Sequence, residues 1–211
     1  MLLLSSCILG IVEMAPEEKI LKGCKEGDRQ AQGELYKMYA SSMFGVCLRY
    51  SHNREDAEDV LHEAFVKVFS NIGLYRGQGS FEGWIRRIMV NASIDHYRSR
   101  LKHQFVNIDD INIGNEDTGN EINEDNILGD NDGRPGPQDI MNLIQKLPDG
   151  YRMVLNLFVL EKHNHKEISE MLGISESGSK SQLFKARRYL RKLLDEKYSM
   201  KPKDLSIYEL G

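Results

Sequence analysis

HKEISEMLGISESGSKSQLFKARRYLRKLL, residues 165–194, decides the fold. Ile168 and Leu172 stand four apart and predict the inward face of a short helix, while the small Ser169 lets a second helix cross close by. Gly173 allows a tight turn, Ile174 plugs the corner, and Leu183 supplies the inward face of the second helix. That is the layout of a helix-turn-helix. Ser177, Ser179, Lys180, Ser181, Phe184, Lys185 and Arg188 are then left on or near the outer face, with Lys166 on the helix before. Seven bases lie between 180 and 197 against only Asp195 and Glu196, so pattern and charge agree on an element that enters a DNA major groove. A merely solvated basic helix is the plainer alternative.

Outward from this motif the pattern stays helical. Apolar residues recur at three and four from Glu17 to about Arg100, without strand alternation. Helices are predicted over Glu17–Lys25, Arg29–Ser51, Arg54–Asn71 (ended by Gly73) and Glu82–Lys102. Leu35, Met38, Tyr39, Met43, Val46, Cys47 and Tyr50 form the expected apolar face of the second. LYRGQGSF, residues 74–81, reads as a shaped loop because of its glycines and serine. Four more helices are expected at Gln138–Lys146, Asp149–Leu160, His165–Leu172 and Glu176–Glu196. The fold class is therefore all-α, in two small helical domains of residues 17–102 and 138–198, with a tail over 199–211.

Between them, residues 103–137 carry nine acids against one base, Arg134, and little apolar periodicity. Such a segment cannot bury enough surface to offset chain entropy and is expected to be a flexible acidic linker. It also hides an asymmetry, for the net charge is −4 while the linker alone is −8, leaving +4 on the rest of the chain. Both domains are basic enough to suit nucleic acid.

Three cysteines, Cys7, Cys24 and Cys47, show neither paired nor metal-type spacing and read as core thiols of a reducing cytoplasm. No metal and no cofactor is expected. Met1–Met14 contains LLLSSC, which lacks the basic region and longer apolar run of an export signal, so residues 1–16 read as an ordered extension or a start mis-assigned ahead of Met14. No apolar run approaches the roughly 20 residues of a membrane helix.

LPDGYRMVLNLFVLEKHNHKEISEMLGISESGSKSQLFKARRYLRKLL, residues 147–194, resembles region 4 of the extracytoplasmic-function sigma factors of RNA polymerase. KSQLFKAR within it is similar to members from Bacteroides-type bacteria. Ser169 replaces the family's usual Ala, and Ser177-Gly178 replaces Gly-Thr, which removes a possible phosphate-binding hydroxyl. The resemblance implies that Lys166, Ser177, Ser179, Lys180, Ser181, Phe184, Lys185 and Arg188 bind the minus-35 element.

Residues 20–100 are similar to region 2 of the same family. REDAEDVLHEAFVKVF, residues 54–69, would merely solvate an outer face if read in isolation. The resemblance implies docking on a basic coiled coil of the core polymerase through Asp56, Glu58, Asp59, His62 and Glu63, with Val60 or Leu61 as apolar anchor. His62 stands where Gln is usual. GSFEGWIRRIMVNASIDHYRSR, residues 79–100, places Trp84, Ile85, Ile88, Met89 and Ala92 toward the core and Arg87, Asn91, Asp95 and Arg98 on one polar stripe. In the family this stripe and the preceding loop hold the melted minus-10 strand, with a flipped base in a pocket. Arg76, Gly77, Gln78, Gly79, Ser80 and Phe81 would shape the pocket, and Arg86, Arg87, Asn91, Arg98 and Arg100 the path. Asp95 would orient a neighbouring Arg or Asn.

The resemblance implies a cytoplasmic sigma factor that binds core RNA polymerase and promoter DNA, is a monomer when free, takes no small-molecule substrate, and is restrained by an anti-sigma factor, commonly membrane-linked. Its rival is a dimeric helix-turn-helix regulator acting without polymerase, against which the DAEDVLHEAF helix joined to FEGWIRRI argues. An enzyme built on His163 and His165 has only loop spacing in its favour, without a glycine-rich phosphate loop or a nucleophile elbow.

Overall fold

The computed structural model describes residues 16–106 and 135–198, which form eight α-helices and no strand among the described residues. The helices are α1 (Pro16–Lys25), α2 (Arg29–Tyr50), α3 (Arg54–Asn71), α4 (Phe81–Val106), α5 (Pro137–Gln145), α6 (Asp149–Val159), α7 (His165–Leu172) and α8 (Glu176–Tyr198). The expected linker falls mostly on residues 107–134, outside the described residues. Its first four residues belong to α4, which runs past Lys102 because no glycine or proline interrupts HQFV.

Local chemistry sets the starts. Asp28 caps α2 by accepting from the Gln30 amide (2.8 Å), and Asn53 caps α3 by accepting from the Asp56 amide (2.7 Å). Gly73 does not stop α3 in a left-handed turn; Ile72 stays right-handed at φ −60°, and a 3-10 turn over Ile72–Leu74 carries the chain out.

Helices α1 to α4 pack around Leu35, Met43, Val46, Cys47, Val60, Phe65, Ile85 and Met89, all buried. Full burial of one such aliphatic side chain contributes about 1.5–3 kcal/mol, so these few residues outweigh any surface charge pair. Met38 is a correction to the expected α2 face, being 50% exposed. Three residues past Leu35 is about 300° of helical rotation, which leaves it on the rim of the stripe.

Helices α5 to α8 enclose Leu143, Leu147, Met153, Leu155, Leu157, Ile168, Leu183 and Leu194. The two groups touch where α2 meets α5 and α6, and where α4 meets α7. Arg152 lies in this seam, 1% exposed, donating to the carbonyls of Tyr50 (3.3 Å), Gln145 (3.0 Å) and Leu147 (3.0 Å) and to Asp149. A guanidinium there satisfies carbonyls that neither helix end can bond internally.

Candidate nucleic-acid and protein interfaces

The helix-turn-helix is fixed at both ends of α7. Asn164 accepts from the Glu167 amide and Glu167 accepts from the Asn164 amide, each at 2.9 Å. Gly173 then turns left-handed (φ 69°), a conformation that costs a side-chain-bearing residue about 1–2 kcal/mol. Ser175, a cap not expected from the sequence, accepts from the Gly178 amide (3.0 Å) and starts α8. Ser177, Lys180, Ser181, Phe184, Lys185 and Arg188 share one exposed face of α8, with Lys166 exposed on α7. Phe184 is 68% exposed, a large apolar ring standing among cations.

Ser179 departs from that set. It is fully buried, and its hydroxyl meets His165 Nδ1 at 2.9 Å, so it ties α8 to α7 and cannot touch DNA. The spacing Ser179, Leu183, Ala186, Leu190 is the inward period of α8, a signal available in the sequence. His165 also stacks on Phe158 (4.8 Å), and burial, reinforced by Lys180, lowers its pKa.

On α3, Asp59, His62, Glu63 and Val66 are exposed at successive helical spacings. Val60 and Leu61 are buried in the core with Ala57, Ala64 and Phe65, so neither is an apolar anchor for a partner. Val66, 65% exposed, is the large apolar side chain that this face leaves open. Glu58 is half-buried and paired with Arg54 (2.8 Å). Asp56 accepts from Arg100 of α4 (3.2 Å), which removes it from the open face.

The 75–80 loop lies over an aromatic cluster. Phe81 is buried against Tyr75 (5.0 Å), Trp84 (5.6 Å) and Tyr39 (5.8 Å), so it is the floor beneath the loop and not part of a base pocket. Gly77 and Gly79 are left-handed (φ 75° and 84°), and the Tyr75 hydroxyl donates to the Gly79 carbonyl at 2.8 Å. Ser80 accepts from the Gly83 amide (3.1 Å), capping α4, while Arg76 and Gln78 project outward.

Along α4, Arg87, Asn91 and Asp95 are exposed. Asp95 pairs with Lys67 of α3 (3.0 Å), correcting the expectation that it orients an Arg or Asn. Arg86, Arg98 and Arg100 turn toward the second helical group. Arg86 grips Glu161 with Nη2 (2.7 Å) and Nε (3.2 Å), and that bond raises its pKa against the opposing effect of burial. Arg98 donates to the Glu170 carbonyl (3.0 Å), and Arg100 to Asp149 (2.6 Å). Neither Glu161 nor Asp149 was singled out in the sequence. Cys24 and Cys47 are buried free thiols, the latter pushed up to about 12 by burial. Among the described residues no group of three or more His, Cys, Asp or Glu could hold a metal, and no helix is long and apolar enough to cross a membrane.

One chain thus carries an acidic helix face, a glycine-shaped loop before a polar-striped helix, and a helix-turn-helix with a basic outer face. Residues 35–102 match Sigma-70 region 2, and residues 138–190 match Sigma-70, region 4. The chain is 30% identical over 166 residues to the ECF RNA polymerase sigma factor SigM of Bacillus subtilis, covering 76% of this chain and 93% of the relative. It is 28% identical over 187 residues to ECF RNA polymerase sigma factor SigW of the same organism, covering 84% and 96%. A solved structure of the sigma factor RpoE with the anti-sigma factor NepR from Bartonella quintana aligns over 77% of this chain and 96% of that one, at 16% identity and TM-score 0.46. The chain belongs to the ECF RNA polymerase sigma factor family.

Proposed function

We propose that the protein is an alternative sigma factor, one that binds core RNA polymerase and directs promoter-specific initiation through minus-10 and minus-35 elements. The observation that carries this is one chain bearing two complementary surfaces: an acidic strip on α3 (Asp59, His62, Glu63) and a basic recognition face on α8 (Lys180, Lys185, Arg188). Charge complementarity suits the first to a basic polymerase surface, with Val66 as its apolar centre. The second suits a major groove, where Lys and Arg read guanine edges or phosphates and the Phe184 ring can meet a thymine methyl.

Arg76 and Gln78 on the loop, with Arg87 and Asn91 on α4, form the open part of a single-strand path, and Arg86, Arg98 and Arg100 would extend it. The protein then works in the cytoplasm without catalysis of its own, and an anti-sigma factor would act by covering these faces. Phosphate-dominated binding by two small basic surfaces is weak at physiological salt, which makes the polymerase an obligatory partner for useful affinity.

The test is run-off transcription with purified core polymerase on genomic DNA. Discrete start sites preceded by a shared pair of elements are expected. Core enzyme that gains no start sites on adding the folded chain would reject the reading.

A further inference from the structure

Ser179 and Arg187 bracket the stretch of α8 that carries the outer face. Ser179 is fully buried one residue before Lys180, and its hydroxyl meets His165 Nδ1 of α7 at 2.9 Å. The His165 ring stacks on Phe158 of α6, with centroids 4.8 Å apart and planes inclined by 24°. Two helical turns beyond Ser179, about 12 Å along the axis, the Arg187 guanidinium lies 5.7 Å from the centre of the same Phe158 ring. One half-buried ring on α6 thus carries restraints on both ends of the segment that holds Lys180, Ser181, Phe184 and Lys185.

We propose that His165 and Phe158 are positioning residues for minus-35 reading, which fix the rotation of α8 about its own axis through Ser179 and Arg187 and so set the register in which its outer face meets base edges. This rests on the assignment of α8 to the minus-35 element given above. Both residues act through the helix they hold, without touching DNA.

The size of the displacement at stake shows why a directional contact matters. The inward stripe Leu183, Ala186 and Leu190 anchors α8 through apolar burial, which has no direction of its own. Side-chain tips lie about 5–6 Å from a helix axis, so a turn of roughly 20° carries them about 2 Å. A hydrogen bond to a base edge spans only about 2.7–3.2 Å between heavy atoms, and such a turn breaks it. An alanine at position 179 would fill the same buried place without selecting an angle, whereas a hydroxyl sealed from water holds to the His165 nitrogen opposite it. The imidazole in turn springs from a rigid backbone, since the reciprocal bonds of Asn164 and Glu167 fix the first turn of α7.

The experiment uses the full chain with core polymerase on a promoter mapped by run-off transcription, its minus-35 element intact or scrambled. Wild type, Ser179→Ala, His165→Phe, His165→Asn and Phe158→Leu, each shown to be folded by far-UV circular dichroism, are compared on both templates. Ser179→Ala loses the bond, and His165→Phe keeps a stacked ring without the nitrogen. Both should lower the ratio of initiation on intact over scrambled template roughly three- to tenfold, a partial loss of base readout, with the scrambled template unchanged. Phe158→Leu, which removes the platform under both restraints, should lower it at least as far. His165→Asn puts a polar atom near the place of Nδ1 and should hold the ratio within about twofold of wild type. Folded variants whose ratio equals that of wild type, or which lose initiation equally on both templates, would overturn the positioning role, as would a His165→Asn chain no better than His165→Phe. Wild type that initiates equally on both templates would remove α8 from minus-35 reading, and the positioning role with it, while sparing the sigma role. Absence of any start site with wild type would reject both.

Discussion

Arg152→Ala should be among the most damaging single changes in the second helical group, and its cost can be worked from the contacts. The side chain is 1% exposed and donates to three carbonyls, of Tyr50, Gln145 and Leu147, and to Asp149. Removing one partner of a buried ion pair costs about 3–5 kcal/mol, because the other groups lose their bonds without regaining water. Two features favour the lower end. Asp149 keeps Arg100 at 2.6 Å, and its side chain is partly open to solvent. A loss of about 3 kcal/mol follows, which for a chain of this size lowers Tm by roughly 6–12 °C. Arg152→Lys should recover only part of it, since an ammonium has no rigid fork to span three carbonyls. Thermal and urea unfolding followed by far-UV circular dichroism measure both. A loss under about 1 kcal/mol for Arg152→Ala would mean the guanidinium is not the seam's organising group.

Asp59→Ala with Glu63→Ala, both exposed, should weaken association with core polymerase on the order of tenfold, about 1.4 kcal/mol, without moving Tm; equal retention of wild type and variant on immobilised core enzyme would remove the α3 docking face. Lys185→Ala should lower minus-35-dependent initiation by about 1–3 kcal/mol of discrimination, and equal activity on intact and scrambled minus-35 sites would take the recognition role from α8. His165 resists protonation in the fold, burial and Lys180 both lowering its pKa from 6.5, so the unfolded chain takes up the proton first. Its contribution is complete above that value and lost as pH falls below it. The stability gap between wild type and His165→Gln should narrow from pH 8 to about 5.5, and a constant gap would refute this.

Where the periodicity of apolar residues coincided with a polar cap, the sequence was nearly sufficient. The starts expected at Arg54 and His165 are kept to the residue, where the structure shows Asn53 and Asn164 as caps, and Ile168, Leu172, Gly173 and Leu183 take the places their spacing demanded. Errors fell on residues that adjoin proposed site residues in sequence but whose helical phase turns them inward. Val60 adjoins Asp59 yet belongs to the stripe Ala57, Leu61, Ala64, Phe65 and Val68; Ser179 adjoins Lys180 yet lies on the inward face of α8. Phe81 follows two glycines and looked like part of the loop, whereas an aromatic cluster around Tyr75 and Trp84 claims its ring. Nothing local betrays Arg86 meeting Glu161 or Asn156 meeting Arg49, because those pairs join residues 75 and 107 apart along the chain. Only tertiary packing reveals that carboxylates of one helical group face the cations of the other.

The most direct measurement of the central claim is co-sedimentation of the folded chain with purified bacterial core RNA polymerase at low and then physiological salt. A stoichiometric complex that persists at the higher salt and then protects two separated promoter elements is predicted. A folded chain that stays at the top of the gradient at low salt would contradict the account.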